Sequence, residues 1–266
     1  MPCFCINCLA NSLLPSSLCT GGMTYQATGS TGDGYRFAQK LGHTVSELLP
    51  ALVGIRATLP KNLAGLSLKN VELTVSSKGK ELFREFGEML FTHTGISGPT
   101  VLRTSSRINK REMSELSISL DLKPALDFDT LDARLLRDFA ASSNRSVKNV
   151  LPELMPKSLI PLVLERAEID PETPCHSISK DARHRLISVV KGIVLEPIGF
   201  EEMNGAIVTS GGISVAEVNA KDMQSKILPG LFFAGEILDV DALTGGFNLQ
   251  IAFSTGYLAG TKAAKG

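Results

Sequence analysis

The sequence predicts an α/β fold in which a strand-rich region and a small helical region precede a C-terminal strand, loop and helix. Three observations predict it. Residues 116–122 alternate strictly between apolar and polar side chains, which is the period of a half-buried strand. Residues 129–168 change to a helical period. Residues 230–264 then read as a short buried strand, a loop and a helix.

The composition is that of a globular protein with enough apolar residues for a core. Of the 266 residues, 43% are hydrophobic and 20% are charged. Lys plus Arg and Asp plus Glu each number 27, so the net charge gives no argument for nucleic acid or for an anionic membrane as a partner. No apolar run approaches the length of a bilayer span, and no basic residue precedes the apolar N-terminus. We therefore expect a cytoplasmic protein without a membrane partner.

Residues 1–19 differ from the rest and are interpreted as an atypical, Cys-rich N-terminal tail. The spacing Cys3-x-Cys5-x-x-Cys8 could suggest a metal site. A zinc site normally needs a second Cys pair or a pair of His residues, and neither follows. We expect no metal here. The last part of this tail, residues 16–19, is a poor candidate for a strand.

The next elements follow in order along the chain. A Gly- and Thr-rich stretch, residues 20–35, leads into a predicted helix from Tyr35 to Leu41 that ends at Gly42. Residues 45–125 are mainly strand-like, because residues 71–75 alternate in polarity and residues 80–92 also favour a strand. A turn is predicted between these two strands, at Lys78-Gly79.

The second half of the chain begins with helices and returns to strands. Asp129 or Thr130 can cap a helix with an apolar face made of Leu131, Leu135 and Phe139. Three prolines cut the following helical material into short pieces: Pro152, Pro156 and Pro161. Residues 186–210 are strand-like. The last helix is predicted from Asn248 to Ala264.

Four segments carry a resemblance to a known family. The longest, residues 230–256, reads GLFFAGEILDVDALTGGFNLQIAFSTG. The others are TGGMTYQATGSTGDGYRFA at residues 20–38, LFTHTGISGP at residues 90–99 and VTSGGI at residues 208–213. In their order along the chain, these four segments resemble the BaiN/RdsA-like flavoproteins, also described as aminoacetone-oxidase-type NAD(P)/FAD-dependent oxidoreductases. The resemblance covers residues 20–266.

The resemblance implies a domain organisation. Residues 20–44 and 201–266 would form an incomplete, Rossmann-like FAD-binding domain, and residues 45–200 would be the inserted barrel-like domain with its helical part. Members of the family begin with a strand, a GxGxxG turn and a helix. The one glycine cluster here, at residues 29–34, has the wrong spacing. We therefore expect the C-terminal portion of such a protein, truncated at its N-terminus, with a separate N-terminal FAD-binding segment as a candidate partner.

The resemblance also implies an activity. NAD(P)H would reduce FAD, and a hydride would pass from flavin N5 to an unsaturated acceptor. Family members are associated with steroid-like enones and with uridine in ribosomal RNA, so the partner is a small-molecule substrate or RNA. The alternative is a non-catalytic fragment, or one half of a split flavoenzyme that acts as a binding module.

Candidate cofactor-binding residues follow from the chemistry that a flavin needs. Glu236 comes after Gly235 at the end of a buried strand and would bind the ribityl chain, with an exposed loop carboxylate as the alternative. Asp239 and Asp241 are further candidates. The loop before the last helix contains Gly245, Gly246, Phe247 and Asn248. The helix start would favour negative charge on the flavin, or Asn248 would be an ordinary N-cap.

Two other glycine segments and one histidine complete the predicted site. Gly211 and Gly212 would pass near the flavin, or they form only a tight turn. Thr20, Gly21 and Gly22 likewise contact the cofactor or form a strand-to-loop turn. His93 is a candidate proton donor, beside Ser97 as a candidate cap for a helix near Pro99. A lone histidine more often has a structural role, and this is the alternative for His93.

Overall fold

The computed structural model describes residues 15–265, and these form two compact units. The terminal unit contains residues 15–53, Ser105–Lys110 and residues 200–265. The barrel unit contains Gly54–Thr104 and Arg111–Gly199. The insert predicted from the sequence, residues 45–200, shares most of its length with the barrel unit.

The secondary structure consists of short strands, two long strands and six helices within the described residues. In chain order the strands are β1 (Ser16–Leu18), β2 (Leu49–Ala51), β3 (Ile55–Ala57), β4 (Ser67–Ser77), β5 (Lys80–Phe91), β6 (Gly95–Ser97), β7 (Leu116–Asp121), β8 (Ile193–Leu195), β9 (Pro197–Phe200), β10 (Val208–Ser210) and β11 (Leu231–Phe233). The helices are α1 (Asp33–Lys40), α2 (Pro99–Ile108), α3 (Phe128–Ala141), α4 (Ile160–Arg166), α5 (Lys180–Lys191) and α6 (Phe247–Ala263).

The barrel unit is built on one seven-stranded sheet. Its strand order is β8-β7-β4-β5-β6-β3-β9. The two strands at opposite ends of this order, β8 and β9, are consecutive in the chain, with only Glu196 between them. One residue cannot span an open sheet. The sheet must therefore curl until its two ends meet, which makes it barrel-like.

The alternating residues of the sequence form the interior of this sheet. In residues 71–75 of β4 and throughout β7 every second residue is buried, including Leu73, Val75, Ile118 and Leu120. The antiparallel register places Val75 opposite Ile118 and Leu73 opposite Leu120. The predicted strands at 71–75, 80–92 and 116–122 are confirmed, because a period of two sends alternate side chains to the same face.

The turn predicted between the two long strands is also confirmed. Lys78 and Gly79 connect β4 to β5, with φ angles of 51° and 78°. Two consecutive left-handed residues are typical of the type I′ hairpin turn, which matches the twist of the strands it joins.

Helix α3 has the predicted buried face but a different cap. Leu131, Leu135 and Phe139 are buried along one side. The N-cap is Asp127, whose carboxylate accepts a hydrogen bond from the Thr130 backbone N–H at 2.8 Å. The prediction of Asp129 or Thr130 as the cap was wrong, because an acidic side chain caps best when it lies three residues before the amide that it binds.

The prediction of strand-like structure throughout residues 186–210 was wrong at its start. Helix α5 continues to Lys191 and begins after Ser179, whose hydroxyl accepts from the Ala182 backbone N–H. Leu186, Ile187 and Val190 are fully buried on one side of it. Their spacing is helical, and tertiary packing outweighs the strand preference of β-branched residues.

The terminal unit contains two small sheets. Strand β1 pairs parallel with β11, and β2 pairs antiparallel with β10. Residues 16–18 were a poor strand candidate, and this was wrong. They pair in register with the fully buried β11, so context rather than intrinsic preference makes them a strand. Helix α6 packs against both β1 and β11. Within residues 15–265, no helix combines the length and apolarity that crossing a bilayer requires.

Candidate functional site

Three glycine-containing loops meet in the terminal unit. One Glu236 carboxylate oxygen, Oε1, accepts the Thr209 backbone N–H at 2.7 Å, and Thr209 Oγ1 accepts the Met23 backbone N–H at 2.7 Å. A Cβ on Gly22 would lie 2.5 Å from Glu236 Oε1 and would also collide with Thr209. The segments that carry the resemblance at residues 20–22, 209–212 and 235–236 are therefore brought into direct contact.

A cavity of about 400 Å³ lies beside this junction. Glu236, Thr244 and Asn248 are the polar side chains that line it. Its apolar lining residues are Leu52, Ile207, Val208, Val240, Leu243, Leu249, Ile251 and Ala252. An apolar cleft of this size with a few polar groups is typical of a small-molecule or cofactor site.

The cavity also contacts the start of α6. Gly245 and Gly246 line it, with φ angles of 125° and 84°, and Gly246 is the N-cap residue without a side-chain cap. The first-turn amides of a helix have no intrahelical acceptor and carry partial positive charge. A negatively polarised group in the cavity would therefore find donors at this end of the helix.

Asn248 braces the loop and is not the cap. Its Oδ1 accepts the Ala242 backbone N–H at 2.8 Å, and its Nδ2 donates to the Ala242 carbonyl at 2.7 Å. The interpretation of Asn248 as an N-cap was wrong, because Asn248 lies inside the first turn of α6. Phe247 is the first helical residue, and 59% of it is exposed.

Gly211 and Gly212 lie between packed backbone segments. Their φ angles are 92° and 144°, and a Cβ on Gly211 would collide with the Glu47 carbonyl. A Cβ on Gly212 would lie 2.7 Å from the Ile237 carbonyl. The pair is required here for close backbone approach. Neither glycine lines the cavity, while Val208 in the preceding strand does.

Asp239 and Asp241 flank a residue that lines the cavity. Asp239 accepts a hydrogen bond from the Ser46 hydroxyl at 2.9 Å, and Asp241 accepts one from Ser210 at 3.0 Å. Val240, between them, lines the cavity, whereas the two carboxylates do not. The structure therefore engages both predicted aspartates with serines of neighbouring loops.

Gly235 and Tyr35 hold the Glu236 backbone. Gly235 has φ of 80°, and its N–H donates to Thr255 Oγ1 at 2.9 Å. The Tyr35 hydroxyl donates to the Glu236 carbonyl at 3.2 Å. Burial raises the pKa of Tyr35 well above its usual range, and the nearby carboxylates of Glu236 and Asp239 raise that pKa further. Tyr35 thus stays protonated and remains a donor.

The remaining predicted residues lie at two places. Gly21, with φ of 76°, precedes Gly22, and the Thr20 side chain packs so closely on Gly34 that a Cβ there would collide with it. His93 is exposed in the turn between β5 and β6, in the barrel unit. Ser97 is the last residue of β6, and Pro99 opens α2.

Leu52 lines the cavity and was not predicted. It is 1% exposed and has a left-handed φ of 51°, which is rare for a residue with a branched side chain. Its carbonyl accepts the Ile207 N–H at 3.2 Å. No sequence signal marks it, because its position depends on the pairing of β2 with β10.

The described residues contain no cluster of three or more His, Cys, Asp or Glu side chains that could hold a metal ion. The spacing of Cys3, Cys5 and Cys8 lies outside the described residues.

Comparisons with known proteins support the resemblance. A family model described as the HI0933-like protein barrel and H2TH domain matches residues 49–208. A 3-dehydro-bile acid delta(4,6)-reductase of Clostridium scindens is 32% identical over 254 residues, which are 93% of this chain and 61% of that protein. The ribosomal RNA dihydrouridine synthases of Escherichia coli and Haemophilus influenzae are 31% and 32% identical, each over 90% of this chain and over 58% and 57% of their own lengths. The chain therefore spans about three fifths of the length of these curated relatives.

Proposed function

The chain belongs to the HI0933-like family of BaiN/RdsA-like flavoproteins, and from that membership we propose that it provides the flavin-holding part of an FAD-dependent oxidoreductase. The observation that carries the proposal is the convergence of Gly22, Thr209 and Glu236 beside a cavity that ends on the open N-terminus of α6. The three segments are far apart in sequence, and an apolar cleft with a helix N-terminus is chemically suited to a flat, electron-accepting ring.

The cavity has the features needed to hold the flavin end of the cofactor. Its volume of about 400 Å³ is in the range of small-molecule sites, and nothing lies within 4 Å of a Cβ built on Gly246. We assign the amides at the start of α6 to the pyrimidine edge of the ring. We assign the Glu236 carboxylate to ribityl hydroxyls, because its second oxygen is an acceptor not engaged by Thr209.

The chemistry itself would belong to the cofactor. Bound flavin supplies two-electron transfer from NAD(P)H to an unsaturated acceptor. The chain would keep water away with the apolar walls around Leu52 and Leu243, and would stabilise negative charge on the ring through the α6 N-terminus. Asp239 and Asp241 would act indirectly, by fixing the loop that carries Val240.

We propose a small-molecule enone as the acceptor. The relative named as a bile acid reductase supports this choice. Uridine in RNA is the second candidate, supported by the relatives named as ribosomal RNA dihydrouridine synthases. The zero net charge of this chain favours the small molecule, because RNA binding relies on basic residues that neutralise phosphates. For His93 we retain the proposal of a proton donor to that acceptor.

We assign none of the described residues to the adenosine half of FAD. The terminal unit has the cavity that we assign to the flavin, whereas its glycine cluster at residues 29–34 lies at the start of α1, where Gly32 is the N-cap. We therefore expect residues 15–265 to contact the flavin end of the cofactor.

Flavin titration tests this proposal. We expect the fluorescence of riboflavin 5′-phosphate and of FAD to be quenched on binding. The two affinities should be similar, because we assign no described residue to the adenosine half. Gly246→Val should weaken binding of both, whereas Gly230→Val should not. Gly230 is a matched control, since its φ of 83° and its open surroundings reproduce those of Gly246 outside the cavity. Equal binding by both variants would contradict the assignment of the cavity.

A second measurement separates the roles of two residues. Where the variant still binds flavin, Gly246→Val should lower the midpoint potential of the bound flavin by roughly 20 mV, since a helix terminus contributes about 1 kcal/mol to a charged group. Glu236→Ala should instead weaken flavin binding and leave the potential of the bound flavin unchanged. The same change of potential in both variants would argue against separate roles.

A further inference from the structure

A small cavity in the barrel unit lies where β4 and β7 stop pairing. The ladder between these two strands ends at Glu72 and Asp121. The first residues of β4 and the residues that follow β7 extend past this point and line a cavity of about 140 Å³. Its polar lining side chains are Ser67, Lys69 and Lys123. We call this cavity the lysine pocket.

A β-bulge in β4 accounts for the position of Lys69. In the pairing of β4 with β5, Leu68 lies opposite Met89 and Val71 lies opposite Gly87, so two residues of β4 match one of β5. The second of these two residues, Asn70, has a left-handed φ of 54°. A bulge bends its strand and changes the direction of the adjacent side chains, and bulges recur beside functional sites.

The backbone of Lys123 is held on both sides. Its N–H donates to Asp121 Oδ1 at 2.7 Å, and its carbonyl accepts from Lys191 Nζ at 2.9 Å. Lys191 Nζ also forms an ion pair with Asp121 at 2.6 Å, so the carboxylate beside Lys123 already has a cationic partner. A main chain that is fixed before a ligand arrives lowers the ordering cost of binding.

The ammonium groups of Lys69 and Lys123 have no acidic partner. Within residues 15–265, neither group forms an ion pair with a carboxylate. Burial lowers the pKa of Lys123, and the nearby Arg134 guanidinium lowers that pKa further. Both effects disfavour the charged form of this lysine, and an anion in the pocket would offset both.

We propose that the lysine pocket binds the phosphate group of a small phosphomonoester. A phosphomonoester carries about −1.5 to −2 charges near neutral pH, which matches two lysines, whereas a carboxylate or a phosphodiester carries one negative charge. The Ser67 hydroxyl would donate a further hydrogen bond to a phosphate oxygen. Leu154 and Met155, both buried, form an apolar wall for the carbon atoms of the ester.

The size of the lysine pocket limits what it holds. Its volume of about 140 Å³ is well below the roughly 300 Å³ at which sites for drug-sized ligands begin, so we expect it to hold only the phosphate end of a ligand. The inference goes beyond the proposed function, because the lysine pocket shares no lining residue with the cavity assigned to the flavin.

Calorimetric titration of the intact chain with methyl phosphate tests the proposal. We expect saturable one-to-one binding at about pH 7.5, where this probe is a dianion because its second pKa is about 6. Dimethyl phosphate differs by one methyl group and carries a single charge, so it should bind at least about tenfold more weakly. Equal affinity for the two probes, or no saturable binding of methyl phosphate, would overturn the proposal.

Three substitutions locate the binding. Lys69→Gln and Lys123→Gln should each weaken binding of methyl phosphate at least about tenfold, because each removes one ammonium group. Lys157→Gln is the matched control and should change the affinity less than about twofold. Lys157 is exposed and follows Pro156, which lines the pocket, but Lys157 does not line it. An equal loss in Lys157→Gln would mean general attraction of anions and would overturn the proposal.

Two further measurements keep the test specific. Thermal unfolding identifies variants that fold, and the exposed position of Lys69 keeps its variant usable where Lys123→Gln is unstable. In NMR titrations of the lysine side chains, bound methyl phosphate should raise the pKa of Lys123, since a nearby negative charge stabilises the ammonium form. Riboflavin, which has no phosphate, should leave binding of methyl phosphate unchanged. An unchanged Lys123 pKa, or displacement by riboflavin, would contradict the site.

Discussion

The barrel unit and the terminal unit use different means to hold their backbones. Strands β4 and β5 of the barrel unit have 11 and 12 residues, whereas each strand that lies wholly in the terminal unit has three. The barrel unit is fixed by buried side chains at every second position. The terminal unit is fixed by glycines with positive φ and by hydrogen bonds between loops. Truncating a buried side chain should therefore reduce the stability of the barrel unit most, whereas adding a side chain to a glycine should reduce the stability of the terminal unit most.

The largest effect is expected from a truncation in the barrel core. Ile118→Ala removes a fully buried side chain from the centre of β7 and should lower the free energy of unfolding by about 2–5 kcal/mol. Val194→Ala, in neighbouring β8, is the control, because Val194 is 48% exposed and should lose less than about 1 kcal/mol. Denaturant unfolding measures both. Equal losses would mean that the alternation does not define the core.

The reverse substitution should damage the terminal unit. Gly211→Ala adds a Cβ that collides with the Glu47 carbonyl in a left-handed backbone, and should cost about 2–4 kcal/mol. Gly230→Ala has the same sign of φ without any neighbour within 4 Å, and should cost only about 1–2 kcal/mol. Thermal unfolding of the two variants compares them. A smaller loss of stability for Gly211→Ala than for Gly230→Ala would mean that close packing is not the reason for a glycine at position 211.

An ion pair in the barrel unit should make its stability depend on pH. Asp132 accepts from Arg183 Nε at 2.6 Å, and Arg183 is 8% exposed. This contact holds the pKa of Asp132 below its usual range. The pair therefore contributes stability above about pH 4 that is lost as the pH falls through the lowered pKa. Asp132→Asn should lower the free energy of unfolding by about 1–3 kcal/mol at pH 7.

The pH series provides the check on that variant. The difference in unfolding free energy between the wild-type chain and Asp132→Asn should begin to shrink below about pH 4, where this carboxylate takes up a proton in the unfolded chain, and should shrink further as the pH falls through the lowered pKa of the folded state. A difference that stays constant down to pH 3 would mean that charge at Asp132 is not the source.

The smallest effect should be a gain. Lys78 has φ of 51° in the hairpin turn, and asparagine tolerates this conformation better. Lys78→Asn should stabilise the barrel unit by about 0.5–1 kcal/mol, and the lost ion pair with Glu115 is exposed and worth little. Chemical denaturation should resolve the shift. A loss of stability would show that the Glu115 contact outweighs the backbone strain.

The sequence predicts the barrel unit better than the terminal unit for the same physical reason. Residues 71–75, 80–92 and 116–122 carry a period that is local, so their strands can be read directly. Strand β1 has no such signal, because its pairing with β11 depends on residues more than 200 positions away. At residues 186–191 the β-branched side chains favour a strand, but burial of one face of α5 stabilises a helix instead.

Prediction of the site was limited in a similar way. The motifs identified Gly22, Glu236 and the loop at residues 244–248, which the structure brings to one cavity or to its edge. They did not identify Leu52, whose position in the cavity is a product of tertiary folding. They also did not predict that Asn248 braces Ala242, since a side chain that closes a loop onto itself has no periodic pattern.

The single residue between β8 and β9 limits how the barrel tolerates insertions. Glu196 joins the two ends of the strand order, so the sheet has no long exposed edge as long as this link stays short. Natural proteins tolerate insertions most easily at exposed loop tips. A longer link here would let the ends part and would offer unpaired backbone groups to another molecule, which is the first step of edge-to-edge aggregation. The barrel can therefore be elaborated at its hairpin tip near Lys78 much more safely than at Glu196.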